Sequence, residues 1–248
     1  MNIAAAIKYV PDTETIVKIG GDGKSLKKEG VTFVINPYDE YALEEALKIK
    51  EAQGGEVTVI TMGDAETVKG LRTGMAMGAD KAIHIKCSEG EDASGTAKAL
   101  AETLKGRGFD IIFLGMKAVD DDSGIVGPML AEYLGLPCVT MITKLELAGG
   151  KATARRETEM GMEVVECSLP AVFTAQKGLN EPRYASLKGI MAAKKKPVEE
   201  LPLAGYSAGL AILEMKLPPS RPQGRIVGEG EEAAVELARL LKEERKVL

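Results

Sequence analysis

The amino-acid sequence predicts an α/β fold in which a doubly wound, mostly parallel sheet carries an antiparallel extension and a C-terminal arm. Between residues 56 and 134, short apolar runs alternate with helical patterns, which is typical of βαβ units. Between residues 139 and 169, three segments alternate polar and apolar residues around glycine turns, as antiparallel strands do. Beyond residue 200 the chain is rich in proline and glycine, which favours an extended arm.

Composition excludes several classes of protein. The chain has 248 residues, of which 45% are hydrophobic, so it can bury a sizeable core. Its net charge is -5 with both signs interspersed, whereas a nucleic-acid surface needs a basic face. The three cysteines stand singly without a signal peptide, and no apolar run approaches the roughly 18 to 20 residues of a membrane span. We expect a soluble protein of the cytoplasm that does not bind nucleic acid.

The N-terminal part of the chain predicts a strand, an excursion and a helix. Residues 2–10 form a short apolar run before a Pro-Asp pair, which predicts a first buried parallel strand. Residues 15–35 contain the turn Gly20-Gly21-Asp22-Gly23 between β-rich pieces, which predicts a hairpin-like excursion. The helix that follows is expected to have Asn36 as its N-cap and Pro37 as its first residue, with acidic residues complementing the positive helix end. Its buried stripe is predicted to comprise Ala42, Leu43, Ala46, Leu47 and Ile49.

The next part of the chain predicts the parallel sheet itself. Strands are expected over residues 57–62, 82–86 and 111–114, with helices over residues 65–77 and 93–104. Such units make a Rossmann-like, nucleotide-binding sheet, so the loops after Ala6, Met62 and Gly115 are expected to meet in one crevice. His84, the only histidine, lies within a predicted strand and is interpreted as a packing residue. With no Ser-His-Asp set, histidine pair or Walker-type loop, no catalytic residue is predicted.

The segment 109–137 is the strongest candidate for a ligand site. It predicts a strand, an acidic loop and a helix that starts near Ser123 and presents on one face Met129, Leu130, Tyr133 and Leu134. Free N–H groups of a helix N-terminus suit a phosphate, Ser123 adds a hydroxyl, and Gly124 permits close approach. An equally good alternative is that Asp120-Asp121-Asp122 is a solvated turn whose last member caps the helix. No histidine or further acidic cluster lies nearby, so no metal site is expected.

After residue 137 the pattern changes to antiparallel strands. These are predicted over residues 139–147, 152–157 and 162–169, and an apolar strand follows over residues 171–175. A turn, a loop through Leu187 and a short basic helix before Pro197 complete a predicted domain of residues 1–200. Residues 201–248 are interpreted as an arm that packs on a partner subunit, with a strand-like run at 208–215 and a helix at 231–241. The inward face of that helix is predicted to comprise Ala234, Leu237, Ala238 and Leu241.

Five segments resemble one protein family over most of the chain, strongly from Asn2 to about Pro197. They are INPYDEYALEEAL, AMGADKAIHI, GMKAVDDDSGIVGPMLAEYLG, RRETEMGMEVVECSLPAVFTA and LNEPRYASLKGIMAAKKK. The family is the β subunit of electron transfer flavoproteins, heterodimers in which the α subunit holds a redox FAD and the β subunit a second nucleotide, usually a structural AMP. The resemblance implies nucleotide contacts at Ala6, Asn36, Pro37, Tyr38, Asp39, Met62, Gly115, Met116, Lys117, Ala118, Val119, Asp120, Asp121, Asp122, Ser123, Gly124, Ile125 and Val126.

Two details of the resemblance bear on the identity of the second nucleotide. Common members of the family have Asn-Gln-Thr where this chain has Gly124-Ile125-Val126, so backbone N–H groups or Ser123 must replace side-chain bonds to the phosphate. Val126-Gly127-Pro128 is similar to a bifurcating branch that holds FAD in the β site, whereas Asp120-Asp121-Asp122 is similar to the AMP-binding members. We favour AMP in this subunit, with FAD as the alternative.

The resemblance also implies a recognition loop within residues 178–196 that meets dehydrogenases. Its implied docking residues are Leu179, Asn180, Glu181, Pro182, Arg183, Tyr184 and Leu187. Leu187 matches the anchoring leucine, and the alternative is a surface loop with one exposed leucine. The implied function is an electron carrier subunit, not a stand-alone enzyme, that takes electrons from acyl-CoA or related dehydrogenases toward a membrane quinone oxidoreductase. A nucleotide-using ligase or a nucleotide-binding stress protein on the same sheet is the alternative outside the family.

Overall fold

The computed structural model describes residues 1–87, 92–203, 209–221 and 223–248, and it confirms the predicted α/β class. In these ranges the strands are β1 (Asn2–Ala6), β2 (Tyr9–Pro11), β3 (Phe33–Ile35), β4 (Glu56–Gly63), β5 (Lys81–Lys86), β6 (Ile111–Gly115), β7 (Cys138–Ala148), β8 (Lys151–Thr158), β9 (Gly161–Ser168), β10 (Ala171–Ala175) and β11 (Glu199–Pro202). The helices are α1 (Pro37–Gln53), α2 (Val68–Met77), α3 (Ala93–Leu104), α4 (Val126–Leu134), α5 (Leu187–Ala193) and α6 (Gly230–Glu243).

Most of the strands form one nine-stranded sheet, in the order β11-β5-β4-β1-β6-β10-β7-β8-β9. β1 lies between β4 and β6 and runs parallel to both. The chain moves outward from β1 through β4 to β5 and then crosses to β6 on the other side, so the strand order switches at β1. The predicted doubly wound sheet is confirmed, and the carboxyl ends of β1, β4 and β6 lie side by side at the point where such sheets bind ligands.

Two apolar layers cover the two faces of the parallel strands. On one face, Phe113 and Phe173 pack with the apolar stripe of α1. The predicted stripe is confirmed as buried and comprises Ala42, Leu43, Ala46, Leu47 and Ile49. On the other face, Leu100 of α3 and Leu130 of α4 pack against alternate residues of the same strands. Because both faces are covered, these strands are continuous apolar runs, and each buried leucine contributes about 1.5–3 kcal/mol.

The first strand is shorter than predicted, because the chain leaves the sheet after Ala6. The N–H of Ile7 still donates to Ile60 O (2.8 Å), but the N–H of Lys8 donates to the Asp39 carboxylate (2.7 Å). β2 then pairs antiparallel with β3 in a separate two-stranded sheet. The predicted strand over residues 2–10 is therefore wrong in its second half, and the predicted hairpin-like excursion contains one antiparallel bridge, between residues 19 and 26.

α4 begins at Val126, later than the predicted start near Ser123. Asp122 and Gly124 have φ angles of 55° and 64°, in the left-handed region, and a right-handed helix cannot include them. The loop from β6 therefore continues almost to the first helical residue. Tyr133, predicted on the apolar face of this helix, is 42% exposed.

The antiparallel extension is confirmed, since β7, β8 and β9 pair antiparallel in chain order. β11 was missed: it pairs parallel with β5 at the opposite edge of the sheet. Its sequence, Glu-Glu-Leu-Pro, has one apolar residue before a proline and gives no strand signal. By contrast, residues 209–215 of the strand-like run predicted at 208–215 are not in a strand. Residue 208 itself lies outside the described residues.

The chain divides into two compact units, Met1–Leu213 and Glu214–Leu248. β11 belongs to the first unit, so the sheet includes residues on both sides of the predicted domain boundary at residue 200. The second unit contains α6, which confirms the predicted terminal helix. Of the face predicted to point inward, Leu241 is half-buried and the other three residues are exposed in this chain, while Leu240 is buried. Packing of that face on a partner subunit stays a prediction.

Candidate functional site

A cleft opens at the carboxyl ends of β1, β4 and β6, where the strand order switches. The start of α3, the start of α4 and the loop between β6 and α4 complete its walls. Its lining combines aliphatic side chains with backbone groups and charges, which suits a molecule with an apolar part and an anionic part. The lining residues are Ala6, Ile7, Lys8, Asp39, Ile60, Thr61, Met62, Gly63, Ala93, Thr96, Leu100, Leu114, Gly115, Met116, Lys117, Ala118, Asp121, Ser123, Gly124, Val126 and Gly127.

The structure brings many of the predicted nucleotide contacts into this cleft, but not all of them. The predicted residues that line it are Ala6, Asp39, Met62, Gly115, Met116, Lys117, Ala118, Asp121, Ser123, Gly124 and Val126. The predicted residues outside its lining are Asn36, Pro37, Tyr38, Val119, Asp120, Asp122 and Ile125. Sequence reasoning missed Lys8, the β4 residues Ile60, Thr61 and Gly63 beside the predicted Met62, and the wall from α3. The rule that ligands bind beyond the carboxyl ends of parallel strands also applies to Lys8 and to the β4 residues, whereas the wall from α3 depends on how that helix packs.

Asp39, in the first turn of α1, joins the two strands beside the cleft. Its carboxylate accepts hydrogen bonds from the backbone N–H of Lys8 (2.7 Å) and of Gly115 (2.7 Å). Burial raises the pKa of Asp39 to about 7, although these hydrogen bonds, Asn36 and the charge of Lys8 act in the opposite direction. A Cβ atom at position 115 would lie 2.5 Å from Asp39 Oδ1, so this approach requires glycine. Asp39 therefore fixes the spacing of β1 and β6 and does more than complement the helix dipole.

Asn36 is the N-cap residue of α1 and Pro37 its first residue, as predicted, but the Asn36 side chain makes no capping hydrogen bond. Its Nδ2 donates to Lys117 O (2.9 Å), and its Oδ1 accepts from the Val119 N–H (3.1 Å). Asn36 is fully buried. Its amide thus supports the β6–α4 loop from a position outside the cleft lining.

The three aspartates of the β6–α4 loop are ion-paired. Lys8 Nζ donates to Asp120 Oδ1 (2.8 Å) and Asp121 Oδ2 (2.9 Å), and Lys117 Nζ donates to Asp122 Oδ2 (2.9 Å). Burial lowers the pKa of Lys8, but the two carboxylates outweigh it and leave the pKa above its ordinary value. The expected helix cap is wrong, because α4 begins four residues after Asp122. Lys8 was missed although a lysine directly after a buried strand marks the edge of the sheet where ligands bind.

The part of the loop nearest α4 is suited to an anion. Ser123 and Gly124 line the cleft just before the helix, and Val126 and Gly127 line it within the first helical turn. In the described part of the chain no side chain caps α4. Its first N–H groups and the positive end of its dipole are therefore available to a ligand. The helix N-terminus of the predicted anion-binding arrangement thus lies three residues later than expected, at Val126 instead of Ser123.

A second surface of interest is formed by residues 178–196, which include α5. Tyr184 is 99% exposed and Leu187, the first residue of α5, is 84% exposed. Met191 is exposed in the next turn of the helix. Leu187 therefore has no core role, and it projects together with two other large side chains from a helix start and not from a loop tip.

The base of the same segment is attached to α1. Asn180 Nδ2 donates to Tyr41 O (3.0 Å) and to Glu45 Oε2 (2.9 Å), and Leu179 packs on the apolar core. Two residues predicted to meet a partner, Leu179 and Asn180, thus direct their side chains into the protein.

Arg183 is attached to α1 as well. Its Nε and Nη2 donate to the two oxygens of Glu44 (2.8 and 2.9 Å), and its Nη2 also donates to Glu51 Oε2 (3.0 Å). Its Nη1 bonds to the other oxygen of Glu51. Arg183, also predicted to meet a partner, therefore has its guanidinium directed at two carboxylates of this chain.

Other kinds of site find little support. His84 is buried, with Nε2 at 3.0 Å from Gly63 O and 3.2 Å from Thr67 Oγ1, which agrees with a packing role. Among the described residues, no group of three or more His, Cys, Asp or Glu side chains is arranged to hold a metal ion. No helix in the described ranges is both long enough and apolar enough to cross a membrane.

Comparison with known proteins gives a consistent result. Residues 25–205 match the model of the electron transfer flavoprotein domain. An electron transfer flavoprotein subunit beta of Bacillus subtilis is 43% identical over 259 residues, covering 100% of both chains. A subunit of the same name from Syntrophomonas wolfei is 43% identical and covers 100% of this chain and 98% of its own. Another, from Bradyrhizobium diazoefficiens, is 38% identical over 100% of both chains.

Proposed function

The chain belongs to the electron transfer flavoprotein β-subunit family, and on that premise we propose that it pairs with an α subunit and holds a structural AMP in its cleft. In this proposal the redox cofactor is FAD bound by the α subunit, so the β chain alone performs no redox turnover. The heterodimer takes electrons from acyl-CoA or related dehydrogenases in the cytoplasm and passes them toward a membrane quinone oxidoreductase.

The cleft is the observation that carries the proposal of a bound nucleotide. Aliphatic side chains of β4, α3 and β6 supply a surface for a flat base. The open N-terminus of α4, Ser123 and Lys8 line the same cleft, and the N–H donors and positive dipole end of the helix suit a phosphate. The Lys8 ammonium is ion-paired with Asp120 and Asp121 beside it. A nucleoside monophosphate has these two parts.

Release of the bound nucleotide tests this proposal directly. The chain is co-produced with its α subunit, the purified heterodimer is denatured with acid, and the released nucleotides are identified by mass. We expect one FAD and one AMP per heterodimer. A heterodimer that releases its flavin and no second nucleotide would contradict the proposal.

A second FAD in the cleft is the alternative. Val126 and Gly127 line the cleft at the start of α4, and the segment Val126-Gly127-Pro128 resembles the bifurcating branch. The same experiment decides, because this alternative requires two FAD and no AMP per heterodimer. We favour AMP on the similarity of the three consecutive aspartates to the AMP-binding members.

The second compact unit supports the proposal of a partner subunit. Within Glu214–Leu248, Ile226 is 87% exposed and Val235 is 74% exposed. Exposed apolar side chains of this kind mark interaction sites, and a single amphipathic helix is marginally stable without packing. We propose that the α subunit covers this unit. Val235→Asp should reduce the amount of heterodimer recovered by gel filtration, whereas undiminished recovery would count against this interface.

Residues 178–196, from here on the docking segment, are proposed to meet the dehydrogenase. Tyr184, Leu187 and Met191 present an exposed apolar group. Exposed lysines follow on and after α5, namely Lys188, Lys194 and Lys195. A matching partner surface has an apolar pocket with an acidic rim, so raising the salt concentration should slow association.

A further inference from the structure

We infer that Arg183 and Asn180 are positioning residues, which fix the docking segment on α1 so that Leu187 and Tyr184 are presented to a partner. This inference rests on the docking function proposed above. It assigns to the two side chains a role distinct from contact with the dehydrogenase.

The geometry around Arg183 is that of a rigid attachment. Glu44 accepts two parallel bonds from the guanidinium and a third, at 3.1 Å, from the backbone N–H of Arg183. The Glu44 side chain is 6% exposed and the Arg183 side chain 33% exposed, so the pair is held largely away from water. A planar guanidinium that meets a carboxylate through two bonds fixes orientation as well as distance. The hydrogen bonds that Arg183 donates to Glu51 and, second, to Glu44 raise its pKa further, so the arginine stays charged.

The other end of the docking segment is attached to α2. Arg72 Nη1 donates to Ala193 O (2.6 Å) and Lys196 O (2.5 Å) at the end of α5. Gly189 packs so closely that a Cβ atom there would collide with Ala76 O. Ser186 caps α5 by accepting from the Gly189 N–H (3.0 Å).

The exposed side chains therefore lie between two fixed points. Tyr184 directly follows Arg183, and Leu187 is four residues along the chain, at the start of a capped helix. If the attachment at Arg183 is lost, the residues before α5 gain conformational freedom that a partner must remove again on binding. Such ordering costs free energy for each side chain that is immobilised, so affinity falls although no contact with the partner is lost.

The test measures docking in the complete heterodimer. The full-length chain is co-produced with its α subunit and assayed with a purified acyl-CoA dehydrogenase that reduces the wild-type heterodimer saturably. The variants are Arg183→Gln, Arg183→Lys, Leu187→Ala and the double variant Arg183→Gln/Leu187→Ala. KM for the heterodimer, kcat, melting temperature and nucleotide content are measured for each.

Arg107→Gln is the matched control. Arg107 also donates two bonds to one glutamate, Glu199 (2.9 and 2.8 Å), and its side chain is 34% exposed, close to the value for Arg183. It lies outside the docking segment. Any effect of losing a partly buried arginine pair in general therefore appears in this control.

We expect Arg183→Gln to raise KM about tenfold at unchanged kcat and nucleotide content. Arg183→Lys should raise it less, because lysine keeps the charge but not the two-bond geometry. Since Arg183 acts through Leu187 and Tyr184, the double variant should raise KM by less than the product of the two single effects. Arg107→Gln should leave KM unchanged.

The outcomes separate this inference from the docking function itself. If Leu187→Ala raises KM and Arg183→Gln does not, or if the two effects multiply in full, the positioning role is overturned and docking stands. If Leu187→Ala leaves KM unchanged, the docking function is wrong. If Arg183→Gln fails to assemble, Glu51→Gln is tested in its place, because it removes only the more exposed of the two carboxylates. It should raise KM about twofold with assembly retained. An unchanged KM in Glu51→Gln would overturn the positioning role.

Discussion

The cleft and the docking segment are both attached to α1, but they use side chains in opposite ways. At the cleft, Asp39 bonds to the backbone N–H groups of Lys8 and Gly115, and Asn36 bonds to the backbone of the β6–α4 loop. At the docking segment, Arg183 holds the chain so that Tyr184 and Leu187 turn outward. In the first region buried polar side chains hold the backbone that borders the cleft, and in the second they support exposed apolar side chains.

This difference predicts which property of the protein a substitution changes in each region. Losing a buried acceptor or adding a Cβ at the cleft changes folding stability first, because interiors are closely packed and buried polar groups need partners. Truncating an exposed apolar side chain at the docking segment changes partner affinity and leaves folding stability nearly untouched. The two regions thus give separate experimental readouts within one chain.

The largest effect is expected for Gly115→Ala at the cleft. The new Cβ would lie 2.5 Å from Asp39 Oδ1 and 2.7 Å from the backbone carbon of Tyr38, neither of which can move freely. We expect a loss of about 3 kcal/mol in unfolding free energy, measured by urea denaturation, together with loss of bound nucleotide. Gly21→Ala is the control, because a Cβ there meets nothing within 4 Å. A Gly115→Ala protein as stable as the control would show that the backbone at the cleft is not rigid.

The next effect is expected for Leu187→Ala at the docking segment. Burial of a leucine in a partner pocket is worth about 1.5–3 kcal/mol, which corresponds to about ten- to a hundredfold in affinity. The dehydrogenase-coupled rate at low heterodimer concentration should fall accordingly, while melting temperature and nucleotide content stay at wild-type values, because Leu187 is 84% exposed. A lowered melting temperature with a normal rate would show that Leu187 supports folding and does not dock.

A smaller effect concerns the pH dependence that Asp39 confers. Its pKa is about 7 in the folded chain against an ordinary value of 3.8, so the folded state binds the proton more tightly. The stability this contributes is fully present below the ordinary value and is lost as pH rises through about 7. Between pH 5.5 and 8 the loss amounts to about 2 kcal/mol.

Asp39→Asn provides the reference for this prediction, because an amide does not titrate. The unfolding free energy of the wild-type chain should decline from pH 5.5 to 8 relative to that of the variant. Parallel pH profiles for the two proteins would mean that Asp39 stays charged throughout this range and that burial does not raise its pKa.

The sequence predicted the parallel half of the sheet well, because strands and helices buried on both sides have a strong period. α3 and the stripe of α1 lie where the pattern placed them. β11 was missed because a short edge strand needs little apolar surface, and its pairing with β5 depends on residues far apart in the chain. The apolar pattern of α6 does not say whether this chain or a partner covers the helix, so its predicted inward face stays a prediction.

The candidate site was predicted in position but not in detail. The strand-end rule located the cleft, since it depends only on strand order. The roles of the Asn36 and Arg183 side chains could not be predicted from the sequence. In such patterns an asparagine more often caps the helix with its side chain, and an arginine more often lies on the surface. Each bonds instead to a partner more than 80 residues away, Lys117 and Glu44 respectively, and only tertiary structure brings these together.

The smallest effect is expected for Gly124→Ala, and it bears on how the cleft meets an anion. The nearest protein atom to a Cβ at position 124, Met116 O, is 3.6 Å away, which is an ordinary contact, so a bound phosphate is the group that the Cβ would crowd. The φ angle of Gly124 is 64°, and an L-residue there costs about 1 kcal/mol.

Gly135→Ala is the matched control for this prediction. Gly135 ends α4 with a φ of 66°, lies outside the cleft lining, and has no atom within 4 Å of the position that a Cβ would take, so its substitution adds the same backbone strain alone. Both variants should lose about 1 kcal/mol of stability, and only Gly124→Ala should also lower the AMP retained after gel filtration of the heterodimer. Equal retention by the two would mean that position 124 does not approach the phosphate.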